Sequence, residues 1–221
     1  YEWMNANAIE VVQTHFPGRA PTGPGADDHV LAEFTSLGPE TALREQVNKT
    51  PEALLEELPG VRTIAIAQSG REIDTFWALR EHISEAQAKE GLNVKHDVAC
   101  AVSQLPVFHD IALNEIGERG VDVRPLLLGH LGYGILHFNL SAPKGSYSAE
   151  FLKQHHSLLN TLVHNAILQC GGTVSAEHGI GQLKAELLRD ITSKSNYAAF
   201  KTIKQALDPK NLLNPGKLVL L

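Results

Sequence analysis

Three observations predict a mixed α and β fold in which a sheet carries helices on one face. Amphipathic stretches long enough for helices alternate along the chain with short runs rich in Val, Ile, Leu and Phe. No repeat or low-complexity segment breaks that alternation. The 221 residues, 43% of them hydrophobic, suffice to bury a core as one large domain or two small ones. The net charge of −6, with Lys and Arg dispersed, provides no basic stripe to track a phosphate backbone, so nucleic acid is not an expected partner. The longest apolar stretches, 125–128 and 218–221 among them, fall far short of the roughly 20 residues that span a bilayer as a helix. The chain starts at Tyr1 without an initiator Met or a charged-then-apolar leader, and is expected to be a piece of a longer protein.

Taken in order, helical periodicity covers 5–15, 39–58, 71–89, 107–119 and 148–170, with two shorter stretches at 180–191 and 196–206. Strand signals fall at 29–35, 61–67, 96–102, 121–128 and 135–140. The clearest loop is 16–28, where three prolines and three glycines crowd together. The last two strands are joined through Gly129-His130-Leu131-Gly132-Tyr133-Gly134, whose glycines permit positive φ and a tight reversal. Cys100 and Cys170 sit in apolar surroundings and read as buried free thiols, which fits a reducing compartment.

Four features carry candidate chemistry. His130 ends one strand and His137 lies in the next, so the reversal brings both imidazoles to one place, either as a metal pair or as two histidines hydrogen-bonded at a loop. With side chains alternating along a strand, His137 and Asn139 share one face and Leu136 and Phe138 the other. Ser175-Ala176-Glu177-His178-Gly179-Ile180-Gly181 reads as strand, turn and helix start, leading to Lys184. In extended backbone Glu177 and His178 point to opposite sides and can hold different roles; alternatively Glu177 satisfies a helix start and His178 is an ordinary turn residue. Arg80 recurs with Ile73, Phe76, Trp77 and Ile83 at helical spacing, which puts a guanidinium on an apolar stripe. Such a cation needs an anion, either an internal carboxylate or that of a ligand. Ser84 lies one turn along the same side, and Lys95, at the mouth of the next strand, offers a second positive charge. Finally, Asn214-Pro215-Gly216-Lys217 forms a turn after the last helix.

Together these pieces resemble the C-terminal domain of FAD-linked oxidases of the vanillyl-alcohol-oxidase superfamily, in the branch that holds D-lactate and D-2-hydroxyglutarate dehydrogenases and the flavin subunits of glycolate oxidase. The family's Gly-His-x-Gly-Asp-Gly-Asn-x-His-x-Asn hairpin stands here at 129–139, its Ser-x-Glu-His-Gly-Ile-Gly-x-x-Lys turn at 175–184, and its Asn-Pro-Gly-Lys ending at 214–217. The likeness extends to Tyr1-Glu2-Trp3-Met4, Phe76-Trp77-Ala78-Leu79-Arg80-Glu81 and Lys95-His96-Asp97-Val98, and so covers nearly the whole chain. Two positions depart from the pattern: Tyr133 stands where the family has Asp, and Ile135 where it has Asn.

The resemblance implies an α+β, ferredoxin-like fold with a mostly antiparallel sheet, and a single C-terminal substrate and metal domain over 1–221, with the FAD-binding domain N-terminal and outside this chain. It implies metal ligation by His130, His137 and Glu177, with zinc or another divalent ion, and His178 as the base beside the flavin. Arg80 and Lys95 would hold substrate carboxylate with Ser84 and Asn139 as hydrogen-bonding neighbours, and Asn214 would lie near the flavin. Two imidazoles and a carboxylate leave coordination positions open for a chelating 2-hydroxy acid. The expected activity is oxidation of a D-2-hydroxy acid of the D-lactate, D-2-hydroxyglutarate or glycolate type to the 2-oxo acid, with hydride transfer to FAD. A cytoplasmic setting, free or peripheral to a membrane, goes with it; a homodimer is allowed for and the electron acceptor is left open. The substitutions at Tyr133 and Ile135 motivate a second expectation, a non-catalytic binding or assembly domain that keeps the fold. A metal-dependent hydrolase is a third, without the His-Glu-x-x-His helix that would favour it.

Overall fold

The structure, a computed structural model, describes residues 1–18 and 25–221. Residues 19–24, the middle of the expected 16–28 loop, lie outside the described residues. The chain divides into two compact units, Tyr1–Val174 and Ser175–Leu221.

The first unit runs β1 (Glu2–Asn5), α1 (Ala6–His15), β2 (Asp28–Leu31), α2 (Glu40–Glu57), α3 (Gly70–Glu81), α4 (Ile83–Glu90), β3 (Asn93–Val94), β4 (Asp97–Ala99), α5 (Leu105–Glu118), β5 (Arg124–His130), β6 (Ile135–Ser141) and α6 (Ser148–Gln169). Among the described residues its six strands form one antiparallel sheet in the order β2-β1-β5-β6-β3, with β4 also paired to β6. The α+β class and the antiparallel sheet are as the family resemblance implies. One face buries Met4, Leu126 and Leu128 against Ala8, Ile9, Val11 and Val12 of α1 and Ile83 and Ala86 of α4. The other face is covered as well, because Phe138 stacks edge-on against Phe108 of α5 at 5.1 Å between ring centroids. The run Leu126-Leu127-Leu128, buried throughout, shows why: consecutive apolar residues in a strand need cover on both sides.

Several element boundaries move. The single helix expected over 71–89 breaks at His82, whose ring Nδ1 lies 2.6 Å from the Ala78 carbonyl oxygen and whose ψ of −7° departs from the helical value. The break separates Arg80 from Ser84, and Ile73 at the start of the expected apolar stripe is exposed. Among the described residues 61–67 form no strand, despite their β-branched content, for that segment pairs with no edge of the sheet. Two strands were not foreseen, β1 and β3, both too short to show periodicity. Cys100 and Cys170 are free, as expected, but half-buried rather than buried.

The second unit holds α7 (Ala185–Ile191) and α8 (Lys194–Leu207). Tyr197 of α8 is buried, and its hydroxyl accepts the Leu220 N–H at 3.0 Å, tying the C-terminal tail to the helix. Among the described residues no helix is long and apolar enough to cross a membrane.

Candidate metal and substrate site

The β5–β6 hairpin reverses through a single 3-10 turn at Leu131–Tyr133, closed by the Gly134 N–H donating to the Leu131 carbonyl at 3.1 Å. Gly134 takes φ +67°, and a Cβ there would stand 2.0 Å from the carbonyl oxygen of Cys100. A Cβ on Gly129 would stand 2.2 Å from the carbonyl of Ile135. These two glycines are therefore what lets the strands close with His130 and His137 at one end. Tyr133, at the tip of the turn, is 83% exposed, and Ile135 is half-buried opposite Ala99 of β4.

The two imidazoles come together as the hairpin expectation required. Their ring centroids are 6.1 Å apart, their planes cross at 76°, and a nitrogen of one lies within 4.8 Å of a nitrogen of the other. The sheet then gives each histidine a carboxylate from the neighbouring strand. In register, His130 faces Glu2 of β1 and His137 faces Asp97 of β4. The Glu2 Oε1 lies 2.6 Å from His130 Nδ1, and Asp97 Oδ1 lies 3.9 Å from His137 Nδ1 with the Asp97 side chain almost wholly buried. An ionised carboxylate can only accept, so His130 Nδ1 carries a proton, and the neutral ring in that tautomer has its lone pair on Nε2. Two imidazole nitrogens this close, one ring hydrogen-bonded to a carboxylate and the other with a carboxylate 3.9 Å away, fit the donor chemistry of a zinc-like divalent ion.

Arg80 finds its anion inside the protein: its Nε donates to the other oxygen of Glu2 at 2.9 Å, both side chains being nearly buried. One carboxylate thus spans a candidate metal ligand and a candidate substrate clamp. Burial alone would raise the Glu2 carboxyl, but the His130 hydrogen bond and the Arg80 charge together hold it below the usual glutamate range. Asn139 lies on the His137 face, buried, with its amide donating to Gln87 Oε1 of α4 at 2.9 Å. Ser84 and Lys95 are exposed, the first on α4 and the second between β3 and β4.

Glu177 and His178 belong to the second unit and are exposed there, in a turn where the Ser175 hydroxyl donates to the Gly179 carbonyl at 2.8 Å and Gly179 and Gly181 both have positive φ. Asn214 has φ +48°, and its side-chain oxygen accepts from Lys217 Nζ at 3.0 Å, which closes the Asn-Pro-Gly-Lys turn on itself. Sequence reasoning gave no role to Glu2 or to Asp97 as partners of the histidines. The available signal was a carboxylate set inside an apolar run, in Tyr1-Glu2-Trp3-Met4 and His96-Asp97-Val98.

Comparison with known proteins points one way. Residues 1–218 match the family described as FAD linked oxidases, C-terminal domain. The chain is 32% identical over 222 residues to a mitochondrial D-2-hydroxyglutarate dehydrogenase of Arabidopsis thaliana, covering 99% of this chain and 37% of that protein. It is 29% identical to a D-2-hydroxyglutarate dehydrogenase of Stutzerimonas stutzeri, over 99% of this chain and 46% of the relative. It is also 32% identical to one of Xanthomonas citri pv. viticola, over 99% of this chain and 45% of the relative. The chain spans less than half the length of these relatives. With the family matched from end to end but for the last three residues, the chain belongs to the FAD-linked oxidases as their C-terminal domain.

Proposed function

We propose that this chain is the substrate and metal domain of a flavin-dependent dehydrogenase that oxidises D-2-hydroxyglutarate to the 2-oxo acid, with FAD held by a separate N-terminal domain. The observation that carries the reading is the His130–His137 pair backed by Glu2 and Asp97, in a chain whose named relatives act on D-2-hydroxyglutarate. Among 2-hydroxy acids, a dicarboxylate is favoured over lactate or glycolate because two cations, Arg80 and Lys95, are assigned to carboxylate. A divalent ion, when bound, would polarise the substrate hydroxyl, and the flavin would accept the hydride from Cα.

In this reading His130 and His137 would hold the ion and set where the hydroxyl sits, with Glu177 as the third ligand that the family's motif assigns. His178 takes the hydroxyl proton, which makes the Cα–H bond a better hydride donor. Arg80 grips carboxylate through the guanidinium edge that Glu2 does not use, and Lys95 the second carboxylate. Asn139, held by Gln87, and Ser84 supply hydrogen bonds, and Asn214 lies toward the flavin.

The test uses the full-length protein. Metal analysis is expected to find a bound divalent ion that His130→Ala and His137→Ala each lose, and anaerobic mixing with D-2-hydroxyglutarate is expected to bleach the flavin faster than D-lactate or glycolate does. No bound metal together with no bleaching by any of the three acids would leave the non-catalytic binding domain as the surviving reading.

A further inference from the structure

We propose that Glu2 is a positioning residue for the metal site: by accepting from His130 Nδ1 it fixes the tautomer that presents Nε2 to the ion, and Arg80 holds the Glu2 carboxylate in place for that task. The inference rests on the proposed metal role of His130 and goes beyond it by naming what orients the ligand. Its structural basis is local to the first unit. Glu2 sits in β1 directly opposite His130 in β5, so the antiparallel register delivers the carboxylate to the imidazole without any loop. The contact is short, 2.6 Å, and the Glu2 side chain is 11% exposed, so water competes little for the bond.

Arg80 completes the device from the opposite oxygen. A lone carboxylate beside a histidine can rotate about its own terminal torsion, whereas one whose Oε2 is held by a guanidinium at 2.9 Å keeps Oε1 aimed at Nδ1. An ion pair serving stability alone would join Glu2 to Arg80 and leave the histidine tautomer to chance.

Two readouts test this. In the metal-free protein, long-range proton–nitrogen spectra of the imidazoles are expected to show His130 protonated at Nδ1, and Glu2→Gln is expected to shift it toward a mixture of tautomers. In equilibrium titration with Zn(II), at a temperature where parent and variant are both folded, Glu2→Gln is expected to weaken binding about 10–100-fold. An Nε2-protonated His130 in the parent protein overturns the proposal whether or not the variant folds. Zinc affinity unchanged in Glu2→Gln, with tight binding in the parent, also overturns it and leaves the metal reading intact. Absence of zinc binding by the parent overturns both.

Discussion

At the scale of single residues, the hairpin glycines divide into those the backbone requires and one it does not. Gly134 combines a left-handed φ of +67° with a Cβ position 2.0 Å from the Cys100 carbonyl oxygen, so any side chain is both strained and in collision with backbone. Gly132, two residues earlier in the same turn, has open space around its Cβ position and no positive φ. Gly134→Ala is therefore expected to cost about 2–3 kcal/mol in urea unfolding, and Gly132→Ala less than about 0.5 kcal/mol. Equal losses at both positions would mean that the turn tolerates a different path. The glycines and the two histidines were legible in the sequence because turn chemistry and strand alternation act over a few residues. Glu2 and Asp97 were not, because they reach the histidines only through sheet register, Glu2 from 128 residues away.

At the scale of elements, one buried arginine clamps helices to the sheet. Arg124 opens β5 and sends Nη1 to Glu90 of α4 at 2.7 Å and Nη2 to Glu10 of α1 at 2.9 Å. Lys144 also pairs with Glu10, and His15 lies 2.8 Å from Glu90. Two partners on one planar fork is a geometry that an ammonium cannot copy. Arg124→Lys is expected to lose about 1–2 kcal/mol, and Arg124→Met, which leaves two carboxylates facing an apolar group, about 2–3 kcal/mol, both read from denaturant midpoints. If Arg124→Met is as stable as the parent, the clamp is decorative and apolar packing of α1 on α4 suffices. The helices themselves were legible from periodicity, to within a few residues at most ends. The break at His82 was not, since it arises from one imidazole bonding its own helix, and β1 escaped notice because four residues show no period.

At the scale of the whole molecule, the acid side of the stability profile follows from carboxylates in both units. Burial works against ionised Glu2 and Glu90, but His130 and Arg80 for the first, and His15 and Arg124 for the second, more than offset it; in Glu10 the Lys144 hydrogen bond leads. In the second unit Asp208 is held down to about 2 from an ordinary 3.8, first by Lys204 and then by the backbone N–H groups of Leu212 and Leu213. A carboxyl whose folded pKa is depressed binds protons more readily when unfolded, so its contribution is present above the unfolded pKa and lost as pH falls through the folded one. Stability is therefore expected to hold from neutral pH to about 4.5 and to fall steadily below it. The two units can be read separately. Both tryptophans, Trp3 and Trp77, lie in the first unit, so their fluorescence follows Glu2, Glu10 and Glu90. Amide exchange at Leu212 and Leu213, corrected for intrinsic rates, follows Asp208. Asp208→Asn is expected to lower protection at these two amides near neutral pH and to abolish its further decline between pH 3.8 and about 2. Persistence of that decline in the variant would assign the acid sensitivity of the second unit to a group other than Asp208.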